Sequence, residues 1–301
     1  MTYEAIRYDV SEGIATITLD RGDGLNAMNK AMMFELLDAF DATDGDNTVR
    51  AVIVTGAGER SFCVGADLSS GGDTFDFGDD AAWNDAGSPI GADGTVDFSH
   101  PGARDGGGLI ALRIFASRKP VIAALNGVAA GVGATMMLPM DFRLASTKGR
   151  LGFVFARRGI VPEAASSWFL PRLVGIGTSL DWCYSGRIVG AEEAKAAGLL
   201  RSIHEPADLI AAARAFAHAL TAHGAPVSIA MTRRMLWSGL AMAHPMEAHR
   251  MDSRGVWLRG QSGDAFEGVT SFLEKRDAVF PDTVSDKWGE FAALFEDPPY
   301  R

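Results

Sequence analysis

Cysteine is nearly absent. Cys63 and Cys183 are the only two in 301 residues, too few for a disulfide scaffold or an all-cysteine metal site. Positive charge is short as well: 28 Lys and Arg stand against 38 Asp and Glu, a formal charge of −10, and nothing resembles the basic face of a nucleic-acid binder, which disfavours that class. No serine sits in a Gly-x-Ser-x-Gly elbow and no Gly-x-x-x-x-Gly-Lys loop occurs, which removes the common hydrolase nucleophile and the common phosphate loop. The pairs His218/His223 and His244/His249 are five residues apart, about 140° round a helix, so neither shares a metal-binding face. Met1 to Arg7 has no basic start followed by an apolar core, so no signal peptide is expected. The charge-free run from Val121 to Met140 is long enough for a membrane span. Asn126-Gly127, Gly131, Gly133 and Pro139 interrupt it, so it reads as a buried strand, a turn and a buried helix.

Glycine, by contrast, is abundant: 35 residues, against a usual share of about 7%. The apolar content of 47% is that of an ordinary folded protein. Ala15 to Leu19 alternates apolar and polar residues as a half-buried strand does. Met28, Met32, Leu36 and Phe40 recur at helical spacing up to about Asp44, and Ala51 to Thr55, Val121 to Leu125 and Phe142 to Leu144 read as buried strands. Such alternation predicts an α/β architecture with layered packing. From about Pro206 onward the pattern turns helical, with Leu209, Ala213, Phe216 and Leu220 along one face and further helices over 227–240 and 264–280. The expected division is a core over residues 1–205 and a helical region over 206–301. Residues 69–108 stand apart. Positions 71–108 hold ten glycines, eight aspartates and one arginine, with scattered Phe75, Phe77, Trp83 and Phe98. No periodic element is expected there, and a loop of this length is read as an inserted segment.

Two segments carry chemistry-grade spacing: Ser61 to Leu68, after the strand at 51–55, and Asn126 to Thr135, after the strand at 121–125. In each, glycine permits a sharp turn and leaves backbone N–H groups free to meet a ligand. In the second they would lie at a helix N-terminus, which favours negative charge. Taken singly, each turn is also accounted for by packing alone.

Taken together, these segments resemble a family. Leu25-Asn26-Ala27-Met28-Asn29, Phe62 to Leu68, Lys119 to Gly127, Ala191-Glu192-Glu193-Ala194 with Gly198-Leu199, and Glu267-Gly268 with Phe272 and Lys275 occur in order, and are similar to blocks of the enoyl-CoA hydratase/isomerase (crotonase) superfamily over about residues 5 to 281. The resemblance implies a crotonase-like (ClpP/crotonase) spiral of ββα units with a helical C-terminal region that builds a homotrimer or a hexamer, a dimer of trimers. It implies an acyl- or enoyl-CoA substrate, with CoA entering as part of that substrate and no other cofactor, no metal, no nucleic-acid or membrane partner, and a cytoplasmic location. By position the backbone N–H groups of Ala66 and Val132 would hold an enolate-like thioester oxygen. Cys63, Gly65, Asp67, Leu68 and Gly131 would surround that oxyanion hole, with Asp67 holding the turn. Leu25 and Ala27 would hold the adenine and pantetheine part of CoA, and Phe272 and Lys275 the adenine and phosphate.

The hydratases of the family carry two glutamates, and at those positions this sequence has Thr135 and Phe155, neither able to shuttle a proton as a carboxylate does. One carboxylate remains in a matching place: Glu163, after Pro162, resembles the lone glutamate of the superfamily's isomerases. Read from the residues alone, Pro162 and Glu163 would open a helix, the glutamate complementing its dipole. The expected reaction is double-bond isomerisation through Glu163. The alternatives are hydration or hydrolysis using a water held by His100 or an aspartate of the 69–108 segment, and an acyl-CoA-binding protein without turnover. Trp168, Phe153, Phe155 and the aromatics of the 69–108 segment are candidates for an apolar acyl pocket and are equally explained as core, and Arg157 and Arg158 are expected at the surface or a trimer contact.

Overall fold

The computed structural model describes residues 2–75, 87–295 and 297–300. Phe77, Trp83 and the aspartates at 76, 79, 80 and 85 lie outside them. The chain opens on the antiparallel hairpin β1 (Ile6–Ser11) and β2 (Ile14–Leu19). Helix α1 (Lys30–Gly45) follows, its first turn capped by Asn29, whose side chain accepts from the Met32 N–H. Next come β3 (Ala51–Gly56), β4 (Ser61–Cys63), α2 (Gly106–Phe115), β5 (Val121–Leu125), β6 (Val128–Ala130), α3 (Val132–Thr135), β7 (Phe142–Ser146) and β8 (Arg150–Gly152). Then α4 (Ser166–Val174), α5 (Ile176–Ser185), β9 (Ile188–Gly190), α6 (Ala191–Ala196) and β10 (Ser202–His204) complete the α/β part. Helices α7 (Leu209–Thr221), α8 (Pro226–Gly239), α9 (Pro245–Gly260), α10 (Gly263–Glu274) and α11 (Val284–Lys287) end the chain.

After the β1–β2 hairpin, each pass of the chain lays one strand in a six-stranded sheet ordered β1-β2-β3-β5-β7-β10 and one in a four-stranded sheet ordered β4-β6-β8-β9. That is the spiral of ββα units. From β2 onward the larger sheet is parallel, and its inner strands are buried on both faces, as β3 shows at all six residues. Val52 and Val54 point to the main core, while Ala51 and Ile53 pack with Leu209, Ala213 and Ala217 of α7. The expected α7 stripe is thus the outer lid of the sheet. A separate apolar cluster, including Val227, Met231, Met251 and Phe291, gathers the last helices. No helix among the described residues is long and apolar enough to cross a membrane.

Three expectations are corrected. The run Val121 to Met140 holds β5, then a further strand, then a helix of a single turn. Pairing of β6 with β4 and β8 claims Val128–Ala130, leaving four helical residues before tight turns take over, with Leu138 N–H bonded to Thr135 O and Met140 N–H to Met137 O. Residues 69–108 are not wholly aperiodic, since α2 begins at Gly106 and is capped by Asp105. And α10 stops at Glu274, short of Phe280, because Lys275 turns left-handed at φ 56°.

Two buried arginines satisfy carbonyls that these short elements leave open. Arg143 donates to the carbonyls of Met137, Leu138, Met140 and Leu199. Arg233, from α8, donates to Ile114, Phe115, Ser117 and Pro139 carbonyls and pairs with Asp141 at 2.8 Å. Arg233→Met leaves the Asp141 carboxylate with the Val121 N–H and Trp237 Nε1 but without its cation, and takes a donor from each of those carbonyls. Urea unfolding is expected to show a loss of about 3–5 kcal/mol, the usual cost of breaking a buried pair by removing one partner.

Candidate active site

The loop before α1 is pinned to the smaller sheet through Asn26, buried and left-handed at φ 53°, whose side-chain amide reaches the Ala57, Ser61 and Phe62 carbonyls. Sequence reading had not singled Asn26 out. Leu25 contributes its carbonyl, which accepts from Val64 N–H and Ser61 Oγ. The Ala27 carbonyl accepts from Arg21, which also pairs with Asp67 at 2.5 Å. The Arg21 guanidinium and local hydrogen bonds hold the Asp67 carboxyl below its usual range. Asp67 N–H donates to Met28 O and Met28 N–H to Gly65 O, so Asp67 braces the turn at Ala66.

Gly65 and Gly131 face each other. A methyl group on Gly65 would press on the Ala130 carbonyl, and one on Gly131 would meet Gly65 Cα. Both have positive φ, 112° and 51°, where glycine alone is unstrained. Each is followed by a residue whose N–H, Ala66 or Val132, has no protein acceptor among the described residues. Both line one cavity of about 590 Å³. Since α3 is one turn long, what it offers at Val132 is an open N–H rather than a macrodipole. Cys63 is fully buried behind this turn, and burial pushes its thiol up to about 12, so it is chemically inert.

Glu163 lines the same cavity. It does not open a helix: α4 starts at Ser166, whose N–H bonds back to Glu163 O. Between them Ala164 and Ala165 are both left-handed, at φ 55° and 52°, each costing roughly 1–2 kcal/mol for a residue with a Cβ. The turn is held by neighbours. Ala164 is fully buried and its N–H donates to Asp105 Oδ1 at 3.1 Å. Asp105 Oδ1 also accepts from Gly108 N–H at 2.5 Å. Thr135 Oγ1 donates to Glu163 Oε1 at 2.5 Å. Burial at the cavity wall, reinforced by the negative charge of Asp105, pushes the Glu163 carboxyl up to about 7, against the lowering effect of Thr135. A carboxyl at that value can both take and return a proton near neutral pH.

The cavity brings together Ala66, Val132, Glu163, Gly65, Leu68, Gly131, Phe155 and Pro162. Cys63, Asp67 and Thr135 stand behind its wall, while Leu25, Ala27, Phe272 and Lys275 are not among the lining residues. Phe272, on α10, is 80% exposed. Trp168 is not in the lining either, since it packs edge-on to Phe115 and Phe169. Phe153 stacks on Trp182 in the core. Arg157 donates to Ser185 O, whereas Arg158 lines the cavity. Of the polar 69–108 segment, Asp105, Gly106 and Gly107 line it together with Phe75, and His100 instead caps its own turn at Gly102. Asp105 and the helix it caps were missed because three consecutive glycines suppress a helix reading. The available signal was an aspartate placed before the spaced pair Ile110 and Ile114.

Comparisons with known proteins show what the chain as a whole is similar to. The sequence model of the family described as enoyl-CoA hydratase/isomerase matches residues 9–85 and 109–283, which leaves 86–108 unmatched between them, a shorter stretch than the expected insertion. The chain is 37% identical over 281 residues to the enoyl-CoA hydratase ACTT3 of Alternaria alternata, covering 93% of this chain and 87% of that one. It is 29% identical over 280 residues to the 1,2-epoxyphenylacetyl-CoA isomerase of Escherichia coli strain K12, covering 92% and 98%. Among solved structures, the enoyl-CoA hydratase from Bacillus anthracis superposes with a TM-score of 0.76 at 26% identity, over 92% of this chain and 98% of that one.

Proposed function

The chain belongs to the enoyl-CoA hydratase/isomerase family, and from that premise we propose that it moves the double bond of an enoyl-CoA thioester, with Glu163 as the single proton carrier. The thioester carbonyl would lie between the Ala66 and Val132 N–H groups. Glu163 takes a proton from carbon 2 of a 3-enoyl ester, the electron pair spreads onto the thioester oxygen, and the same carboxyl returns the proton at carbon 4. Nothing else is consumed or released, and the only cofactor is the CoA carried by the substrate. Two backbone donors suit the charge that develops on that oxygen; loss of one such donor typically costs about 3–4 kcal/mol in the transition state. The observation that carries the reading is a carboxyl pushed up to about 7 in the wall of a cavity that both open amides share; the resemblance adds that Thr135 and Phe155 stand where the family's hydratases would have glutamates.

The site surroundings support the remaining assignments. Met33, Ile110, Phe155, Ile160 and Ile188 give the cavity an apolar lining suited to an acyl chain. Exposed Trp257 and Phe272 on α9 and α10 support assembly into a homotrimer or a dimer of trimers, in which Phe272 and Lys275 would reach CoA of a neighbouring copy. Free Cys63 and Cys183 are in keeping with a cytoplasmic location.

Hydration is the second reading, favoured by the name of the Alternaria relative and by Asp105, a carboxylate from the polar segment in the same cavity. One experiment separates the two. Incubated with 2- and 3-enoyl-CoA esters in H₂¹⁸O, the protein is expected to interconvert them without forming labelled 3-hydroxyacyl-CoA. Labelled hydroxy product would establish hydration, and calorimetric binding of the esters with neither product would establish a binding protein.

A further inference from the structure

The segment that carries Glu163 is strained, and while Thr135 Oγ1 bonds the carboxyl itself, an oxygen of Asp105 bonds the backbone of the strained pair. Asp105 Oδ1 accepts two backbone N–H groups at once, from Gly108 at the start of α2 and from Ala164 directly after Glu163. The first bond caps a helix. The second does nothing for that helix. It ties α2 to the left-handed pair Ala164 and Ala165, a conformation that persists only where neighbours enforce it. We propose that Asp105 is a positioning residue for the reaction: through Ala164 it fixes the turn that aims the Glu163 carboxyl at the substrate. This rests on the reading of Glu163 as the proton carrier.

Two effects of Asp105 are separable because a single oxygen makes both bonds. Asparagine keeps an Oδ1 acceptor and loses the charge. Serine, a good helix cap with a shorter reach, keeps the bond to Gly108 and gives up the one to Ala164. The titratable or charged groups facing Glu163 are Asp105 from the start of α2, Cys63 from β4 and Arg158 from the turn after Phe155. Burial pushes the Cys63 thiol up to about 12, so it carries no charge near neutral pH. Of these, Asp105 is the group whose negative charge opposes ionisation of Glu163.

The test compares Asp105→Asn and Asp105→Ser with the wild-type chain, by kcat, KM and pH profile on a 3-enoyl-CoA ester, and by ¹³C titration of the Glu163 carboxyl in the free protein, assigned through Glu163→Gln. Asp105→Ser is expected to fold and to lose about 100-fold in kcat with KM nearly unchanged, the usual effect of misplacing a catalytic group by about 1 Å. Asp105→Asn is expected to keep kcat within about tenfold, with the acidic limb of its profile and the Glu163 titration both moved to lower pH. Wild-type kcat in Asp105→Ser would overturn the proposal. So would complete loss of turnover in Asp105→Asn with an unmoved Glu163 titration, since Asp105 would then itself carry the proton. If Glu163→Gln stays active, the base assignment fails instead, and the titration, which needs no substrate, still reads the link from Asp105 to Glu163.

Discussion

Glu163→Gln is expected to lower kcat for double-bond migration by about 10²–10⁴-fold, the range attached to a positioned proton carrier, while calorimetry shows CoA-ester binding little changed. The amide is isosteric with the carboxyl, and Thr135 can still donate to its oxygen as it does to Glu163 Oε1. What is lost is the capacity to accept a proton. In the wild-type protein kcat/KM is expected to rise through about pH 7 as the buried carboxyl ionises, then level off. The same variant has an opposite effect on stability. A carboxyl whose folded pKa lies above its unfolded value leaves the fold unaffected at low pH and weakens it as pH climbs from about 4.5 to about 7. At about 1.4 kcal/mol per pKa unit, glutamine is expected to make the protein about 3 kcal/mol more stable at pH 8 and no more stable at pH 4. Denaturation at the two pH values reads this directly. Wild-type turnover in the variant would exclude Glu163 as the base. An equal gain at both pH values would show that its carboxyl is not strained by burial.

Gly107→Ala makes the other large prediction, and its two effects also run in opposite directions. A methyl group at 107 would overlap Glu163 Oε2 and crowd Glu163 Cδ at 3.0 Å and the Ala164 methyl at 3.2 Å. Gly107 sits inside α2, where alanine is the better helix former by roughly 0.5–1 kcal/mol. The variant is therefore expected to fold with a well-formed α2, to keep its circular dichroism, and to lose about 100-fold in kcat, because the carboxyl must swing away from its aim. The side chain that has to yield is the end of a glutamate, so the backbone need not break. A Gly107→Ala protein with wild-type kcat would show that the Glu163 position seen here is not the one that reacts.

Much of the scaffold was legible because its strands obey simple periods. Ala51 to Thr55 and Val121 to Leu125 are apolar and β-branched enough to be buried on two faces, and they are adjacent in the larger sheet. The stripe Leu209, Ala213, Phe216 fits its outer face for the same reason. The reading failed where glycine was the signal. Asp105 to Gly108 was read as loop, although a capped helix starts there. Glycine is poor in a helix interior in general, and it is required here only because a carboxylate from a segment more than fifty positions away occupies the space. Pro162-Glu163 was read as a possible helix start for a similar reason: nothing local announces that Ala164 and Ala165 turn left-handed.

By itself, then, the order of residues determined the family, the alternation of strands and helices, and the two glycine turns, since each depends on spacing within a few residues; that the Ala66 and Val132 amides are open came from the fold. Only the folded chain decided that Ala66, Val132 and Glu163 share one cavity, that Asp105 and Gly107 shape the place of the carboxyl, and that this carboxyl is pushed up to about 7. Those properties come from burial and from contacts between distant segments, which no local pattern encodes.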